Sequence, residues 1–103
     1  MDDYKIDFGE LEWESPMAGI KHKVIRRGGK ILRIVEYSQK LEPHWCSRGH
    51  YGYILEGSLE IEFDDGARVY EVGDGVFIPD GEEHCHKAQV LSDFVMAVFV
   101  EDV

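Results

Sequence analysis

The sequence predicts an all-β single domain whose strands close into a barrel or jelly roll, and three observations carry that expectation. Eleven glycines punctuate the chain at short intervals, which marks turns between brief extended runs rather than long helices. The runs between them are rich in Val, Ile, Tyr and Phe, and several alternate with period two. From Phe94 to Val100 apolar residues fall on both faces, as expected of a strand covered on both sides in a two-sheet sandwich or a closed barrel. No stretch of helical length keeps its spacing free of Gly or Pro.

Asp7 to Trp13 has room for a turn or two of helix at most. Ile20 to Ile25 and Lys30 to Tyr37 read as a hairpin around Arg26-Arg27-Gly28-Gly29, where paired glycines supply the positive φ angles of a tight turn. Leu59 to Phe63 alternates strictly, which buries Leu59, Ile61 and Phe63 and turns both glutamates to water. Asp65-Gly66 then turns the chain into a strand over Val69 to Val72. Roughly eight to ten short strands are expected, and a jelly roll or barrel is the arrangement that leaves their edges least open to aggregation. Residues 1–19 are expected to form an N-terminal arm and residues 20–103 the barrel.

A chain of 103 residues with 44% hydrophobic and 31% charged residues suits one folded domain. Its net charge of −10 argues against nucleic acid and anionic membrane surfaces as partners, since both would be repelled before contact. Met1 is followed by Asp2 and Asp3 rather than a basic leader, and no apolar run approaches the ~20 residues of a membrane span, so a cytoplasmic location is expected. Cys46 and Cys85 are too few for a disulfide scaffold. Thiols are expected, with a single bridge between them as the alternative.

Four of the five histidines lie in two clusters, His44 with His50 and His84 with His86, and each cluster contains a cysteine. Imidazole and thiolate suit borderline transition metals, and residues two apart on a strand share a face, so His44, Cys46 and His50 stand on one wall if the strand runs on through Gly49. The surrounding residues are Pro43-His44-Trp45-Cys46, then His50, then Tyr53-Ile54-Leu55-Glu56-Gly57, and later Gly73 to Gly81 with Pro79, followed by His84. This pattern, from Leu41 to His86, resembles the two motifs of the cupin superfamily. Gly73, Pro79, Gly81 and His84 match the second motif at each spacing. In the first motif Cys46 stands where the family usually has a second histidine and His50 where it has glutamate, while Ala88 replaces the asparagine of the second.

The resemblance implies a small single-domain cupin β-barrel, a double-stranded β-helix, with His44, Cys46, His50 and His84 around one divalent transition metal: zinc, iron or nickel. Replacing a carboxylate by His50 leaves the ion more positive and a stronger Lewis acid. Cys46 either ligates, closing a tetrahedral site, or turns aside and leaves positions open; its shorter reach favours the open arrangement. His86, Arg48, Tyr53, Phe77 and Met96 are candidates for the pocket. Arg48 would pair with a substrate carboxylate or lie solvated, and His86 would face the cavity or solvent. Glu82 and Glu83 would accept from an imidazole N–H or simply form an acidic turn. Cys85 is read as packing and His22, between two lysines, as surface. The expected function is a metal-binding cupin acting on a small molecule, either an oxygenase or a lyase or isomerase; the alternative is a non-catalytic binding module. A homodimer is expected, with Phe8, Leu11, Trp13 and Met17 of the arm crossing between subunits.

Overall fold

The structure, a computed structural model, describes residues 4–103. Ten strands run in chain order: β1 (Glu14–Met17), β2 (Ile20–Arg27), β3 (Lys30–Ser38), β4 (Trp45–Cys46), β5 (His50–Glu56), β6 (Leu59–Phe63), β7 (Gly66–Tyr70), β8 (Gly75–Ile78), β9 (His86–Val90) and β10 (Phe94–Asp102). Among the described residues the helical structure is confined to two single 3₁₀ turns, Phe8–Glu10 and Glu82–His84. Among the described residues no helix is long and apolar enough to cross a membrane.

The strands form two antiparallel sheets, one of six strands in the order β1-β2-β3-β10-β5-β8 and one of four in the order β4-β9-β6-β7. The sheets face each other without joining, which makes the expected jelly roll an open sandwich. Because side chains alternate across a strand, β10 sends Val95, Ala97, Phe99 and Glu101 inward. The first three meet Val35, Tyr37, Ile54, Val76 and Ile78 of the same sheet and Leu59 and Ile61 of the other in one apolar core.

Turn chemistry sets the registers. Gly28 and Gly29 have φ of +59° and +79°, the pair of positive angles that a two-residue hairpin loop needs between Arg27 and Lys30. The next hairpin differs from expectation. Phe63 pairs with Gly66, so the turn is Asp64-Asp65 and β7 starts and ends earlier than the sequence pattern suggested. At Gly52 the requirement is space: a Cβ there would lie 2.6 Å from the Phe99 ring and closer still to the Val98 carbonyl oxygen.

Within the stretch expected to be an arm, Glu14–Met17 adds an edge strand to the large sheet. Met17 pairs with Ile20 and Glu14 with His22, and the Trp13 ring lies 4.9 Å from the Lys21 ammonium and 5.0 Å from that of Lys23. Three expected pocket residues also stand elsewhere. Tyr53 and Phe77 are 46% and 79% exposed on the outer face of the six-stranded sheet, where Phe77 packs against Tyr51 at 4.7 Å. Met96 alternates with buried Val95 and Ala97 and so shares that outer face. The strand parity that puts Ile54, Val76 and Ala97 inside puts these three outside.

Replacing Phe99 by Ala should cost ~3–5 kcal/mol through the cavity it leaves. Gly52→Ala should cost about 1–3 kcal/mol through overpacking. Phe77→Ala, at an exposed site, should stay within ~0.5 kcal/mol. Urea unfolding of the three variants checks this order.

Candidate metal centre

Cys46 and His86 are partners in the β4–β9 ladder, so their side chains stand beside each other on one face of the four-stranded sheet. His50 opens β5 in the six-stranded sheet and faces them across the sandwich, its ring 5.4 Å from that of His86 at an interplanar angle of 78°. The loop between Cys46 and His50 makes this crossing. It is tied down by Gly49, whose N–H donates to the Asp80 carboxylate at 2.5 Å, and by Ser47, whose carbonyl accepts from the Gly81 N–H at 3.0 Å. One donor atom from each of Cys46, His50 and His86 lies within 4.8 Å of the others.

Neighbouring groups decide which ring atoms are free. The His86 Nδ1–H donates to the carbonyl oxygen of His84 at 3.0 Å. The His50 Nδ1–H donates to the Glu101 carboxylate. Both rings therefore keep Nε2 as their free lone pair, the arrangement in which a second contact fixes tautomer and orientation of a metal-binding imidazole. Burial pushes the His86 ring below its ordinary pKa of 6.5, an effect its hydrogen bond to His84 opposes, and this keeps the lone pair available near neutral pH. Cys46 Sγ accepts the Arg48 backbone N–H at 3.4 Å. A transition metal takes nitrogen at ~2.1 Å and sulfur at ~2.3 Å, so the three donors would draw together about an ion placed between them.

His44 and His84 stand apart from this group. His44 lies exposed at the cavity rim with its Nδ1 3.2 Å from the Glu42 carbonyl oxygen. The second-motif histidine His84 ends a 3₁₀ turn, and its imidazole lines a separate surface depression with Asp64, Asp65 and Glu83. The turn delays the strand by two residues, so His86 takes the inward position and His84 contributes its carbonyl. Cys46 is within reach because it comes from β4, directly beside β9; the shorter side chain is offset by its strand position. The two cysteines are both free thiols.

The three donors line a cavity of about 190 Å³ whose mostly apolar wall includes Ile20, Tyr37, Leu59, Ile61, Val76 and Phe99. Burial pushes the Tyr37 phenol up to about 12, so it stays protonated at neutral pH. Arg48 and Arg33 also reach the cavity wall.

Behind His50 runs a buried polar chain that the sequence reading missed. Glu101, 5% exposed, accepts from His50 and from Arg33 Nη2 at 2.8 Å, and Arg33 Nη1 donates to His22 Nδ1 at 3.1 Å. Guanidinium is always a donor, so His22 accepts with a neutral ring. His22 is buried, not a surface residue, because it shares the inward parity of Ile20 and Val24. Burial alone would raise Glu101, but the hydrogen bond from His50 and the charge of Arg33 hold its carboxyl below the ordinary 4.5. Burial and the Arg33 charge push His22 below 6.5.

A family model described as "Cupin domain" matches residues 31–100. Oryzines biosynthesis cluster protein J of Aspergillus oryzae (strain ATCC 42149 / RIB 40) is 32% identical over 76 residues, 71% of this chain and 42% of that protein. The chain thus spans less than half the length of that relative. KdgF from Halomonas sp. superposes with a TM-score of 0.71 at 22% identity, over 92% of this chain and 91% of its own. An RmlC-like cupin from Shewanella frigidimarina NCIMB 400 gives 0.75 at 15% identity, over 98% and 91%. At these identities the two structures establish likeness of fold.

Glu101, His86 and His22 all titrate below their ordinary values in the folded chain, so the unfolded chain takes up protons first. Their stabilisation is whole above those ordinary values and is lost as pH falls: from 6.5 downward for the histidines and from 4.5 downward for Glu101. Melting temperature of metal-free protein should fall in those two windows. At pH 7, Glu101→Gln should cost about 3–5 kcal/mol by leaving Arg33 buried without its counter-charge. Denaturant titration of this variant reads the loss.

Proposed function

This chain belongs to the cupin domain family, and from that premise we propose that it is a metal-dependent cupin acting on a small, largely apolar molecule. The observation that carries the reading is the commitment of both imidazole Nδ1 atoms, to Glu101 and to the His84 carbonyl, which leaves two Nε2 atoms and one cysteine sulfur as donors beside the cavity. Two imidazoles and a sulfur suit zinc, iron or nickel rather than hard cations such as calcium or magnesium. Such an ion, with three protein donors, keeps a coordination position for substrate or water and supplies Lewis-acid or oxygen chemistry.

The chain's own residues would do the rest. Cys46, His50 and His86 hold the ion; Glu101 fixes the His50 ring; the Tyr37 phenol donates a hydrogen bond to a substrate oxygen; and the apolar lining excludes water. The cavity is smaller than the ~300–1,000 Å³ of drug-sized sites, so the substrate is a compact metabolite. Between oxygenase and lyase or isomerase the nature of the ion decides. A binding module without turnover is the alternative, and it shares the same metal.

Protein expressed with zinc, iron and nickel available should carry close to one divalent ion per chain by elemental analysis, and added metal should raise the melting temperature of apoprotein. His86→Ala and Cys46→Ser should each lose most of the ion, whereas His84→Ala should keep it. Full metal content in the Cys46→Ser and His86→Ala variants, or its loss only in His84→Ala, would sink the assignment.

A further inference from the structure

Beyond the metal centre, the six-stranded sheet is wider than the sheet that faces it, and the far end of its inner face is left as an open depression of about 410 Å³. Arg26, Arg33 and Arg48 line it, with His22, Ile31 and Glu101. These are three of the five arginines in a chain whose net charge is −10. A concentration of cations in one concavity of an acidic molecule is not a by-product of composition.

Ladder registers place the groups. Arg26 pairs with Ile31 and Ile31 with Glu101, while Val24 pairs with Arg33, so Arg26 and Arg33 project inward from neighbouring rows of the same face. Arg48 closes the depression from the β4–β5 loop, its Nη2 donating to the Asp102 carbonyl at 2.5 Å. The Asp102 carboxylate is engaged by Lys30 instead. Three guanidinium groups therefore face the side-chain carboxylate of Glu101, which His50 shares, with Val103 at the edge of the same lining. Glu14 is the other acid nearby, 3.8 Å from His22 and largely exposed. Among the described residues Arg26 has no ion-pair partner, and Arg33 keeps a buried Nε–H with no hydrogen-bond partner. His22, by accepting from Arg33, holds that guanidinium in place without adding a charge that would repel it.

We propose that this depression binds a small oxyanion, a carboxylate or phosphate group, between Arg26, Arg33 and Arg48, at a site distinct from the metal centre. Guanidinium forks match both groups, since each offers paired oxygens at the spacing of two N–H donors. Arg33 and Arg48 line the metal-side cavity as well, so they form the partition between the two spaces.

The test titrates the full chain with inorganic phosphate and, separately, with acetate, each against sodium chloride at matched ionic strength. Melting temperature and the arginine Nε–H signals in NMR are the readouts. One of the anions should give a saturable rise of about 6–11 °C at tenfold excess over its dissociation constant, with shifts of the Arg33 and Arg48 signals; which anion does so at lower concentration identifies the chemical class. Arg26 is exposed near a hairpin, so Arg26→Ala should fold normally and weaken the response at least tenfold, and Arg48→Ala should do the same. His86→Ala, which removes a metal donor that neither lines the depression nor touches its arginines, should leave the response unchanged. Three results would each overturn the proposal: no response beyond chloride, an undiminished response in Arg26→Ala and Arg48→Ala, or a response that disappears with His86→Ala. Failure of metal binding alone would leave the anion response intact and so falls on the other reading.

Discussion

A carboxylate on the inward face of a sheet must be compensated, and Glu101 is compensated from two sides. Arg33, from β3, supplies a charge at 2.8 Å, and His50, from β5, supplies an N–H. β10 lies between those two strands, so one buried group ties the three central strands of the large sheet by side chains as well as by ladder hydrogen bonds. The pairing is costly to assemble, because each charge leaves water, and it is costlier to break, because the partner left behind is buried. Its effect is to fix geometry: the His50 ring cannot rotate without abandoning Glu101, and Arg33 cannot swing without abandoning both Glu101 and His22.

The metal donors are divided between sheets. Cys46 and His86 belong to the small sheet and His50 to the large one, so the group exists only when the sandwich is packed. Binding energy at such a cluster is folding energy, since the unfolded chain offers no preformed set of donors. The apolar contacts of Phe99 with the His50 ring at 5.1 Å, and of Phe63 with His86 at 6.2 Å, continue the core up to the donors and keep bulk water from that side.

The fold was largely legible in the sequence. Glycine-bounded alternating runs gave the strands over Leu59–Phe63 and the hairpin at Gly28-Gly29, and two spaced motifs gave the family. The site was legible only in part. Motif spacing pointed to His84, yet a 3₁₀ turn ends there and His86 begins the strand; the alternation His86, Ala88, Val90 against Lys87 and Gln89 carried that information. The same parity was readable for Glu101 after Val95, Ala97 and Phe99, for Arg33 between Ile31 and Val35, and for His22 between Ile20 and Val24. Polar residues at inward positions look like breaks in an apolar pattern when each strand is read alone. Only the pairing of distant strands shows that they satisfy one another. The outward aromatics Tyr53 and Phe77 misled for the opposite reason, since size and apolarity do not specify a face.

The position of β10 has a consequence for how the chain is made. It follows the other nine strands described and sits in the middle of the large sheet, paired with β3 on one edge and β5 on the other. Until Phe94–Asp102 leaves the ribosome, the β1-β2-β3 meander and the β5-β8 pair are two fragments with unpaired inner edges and nothing between them. The strands made before β10 thus keep two open edges until it is available, and the sheet, the core and the Arg33–Glu101–His50 bridge are all completed together when it inserts, a slow step dominated by distant contacts.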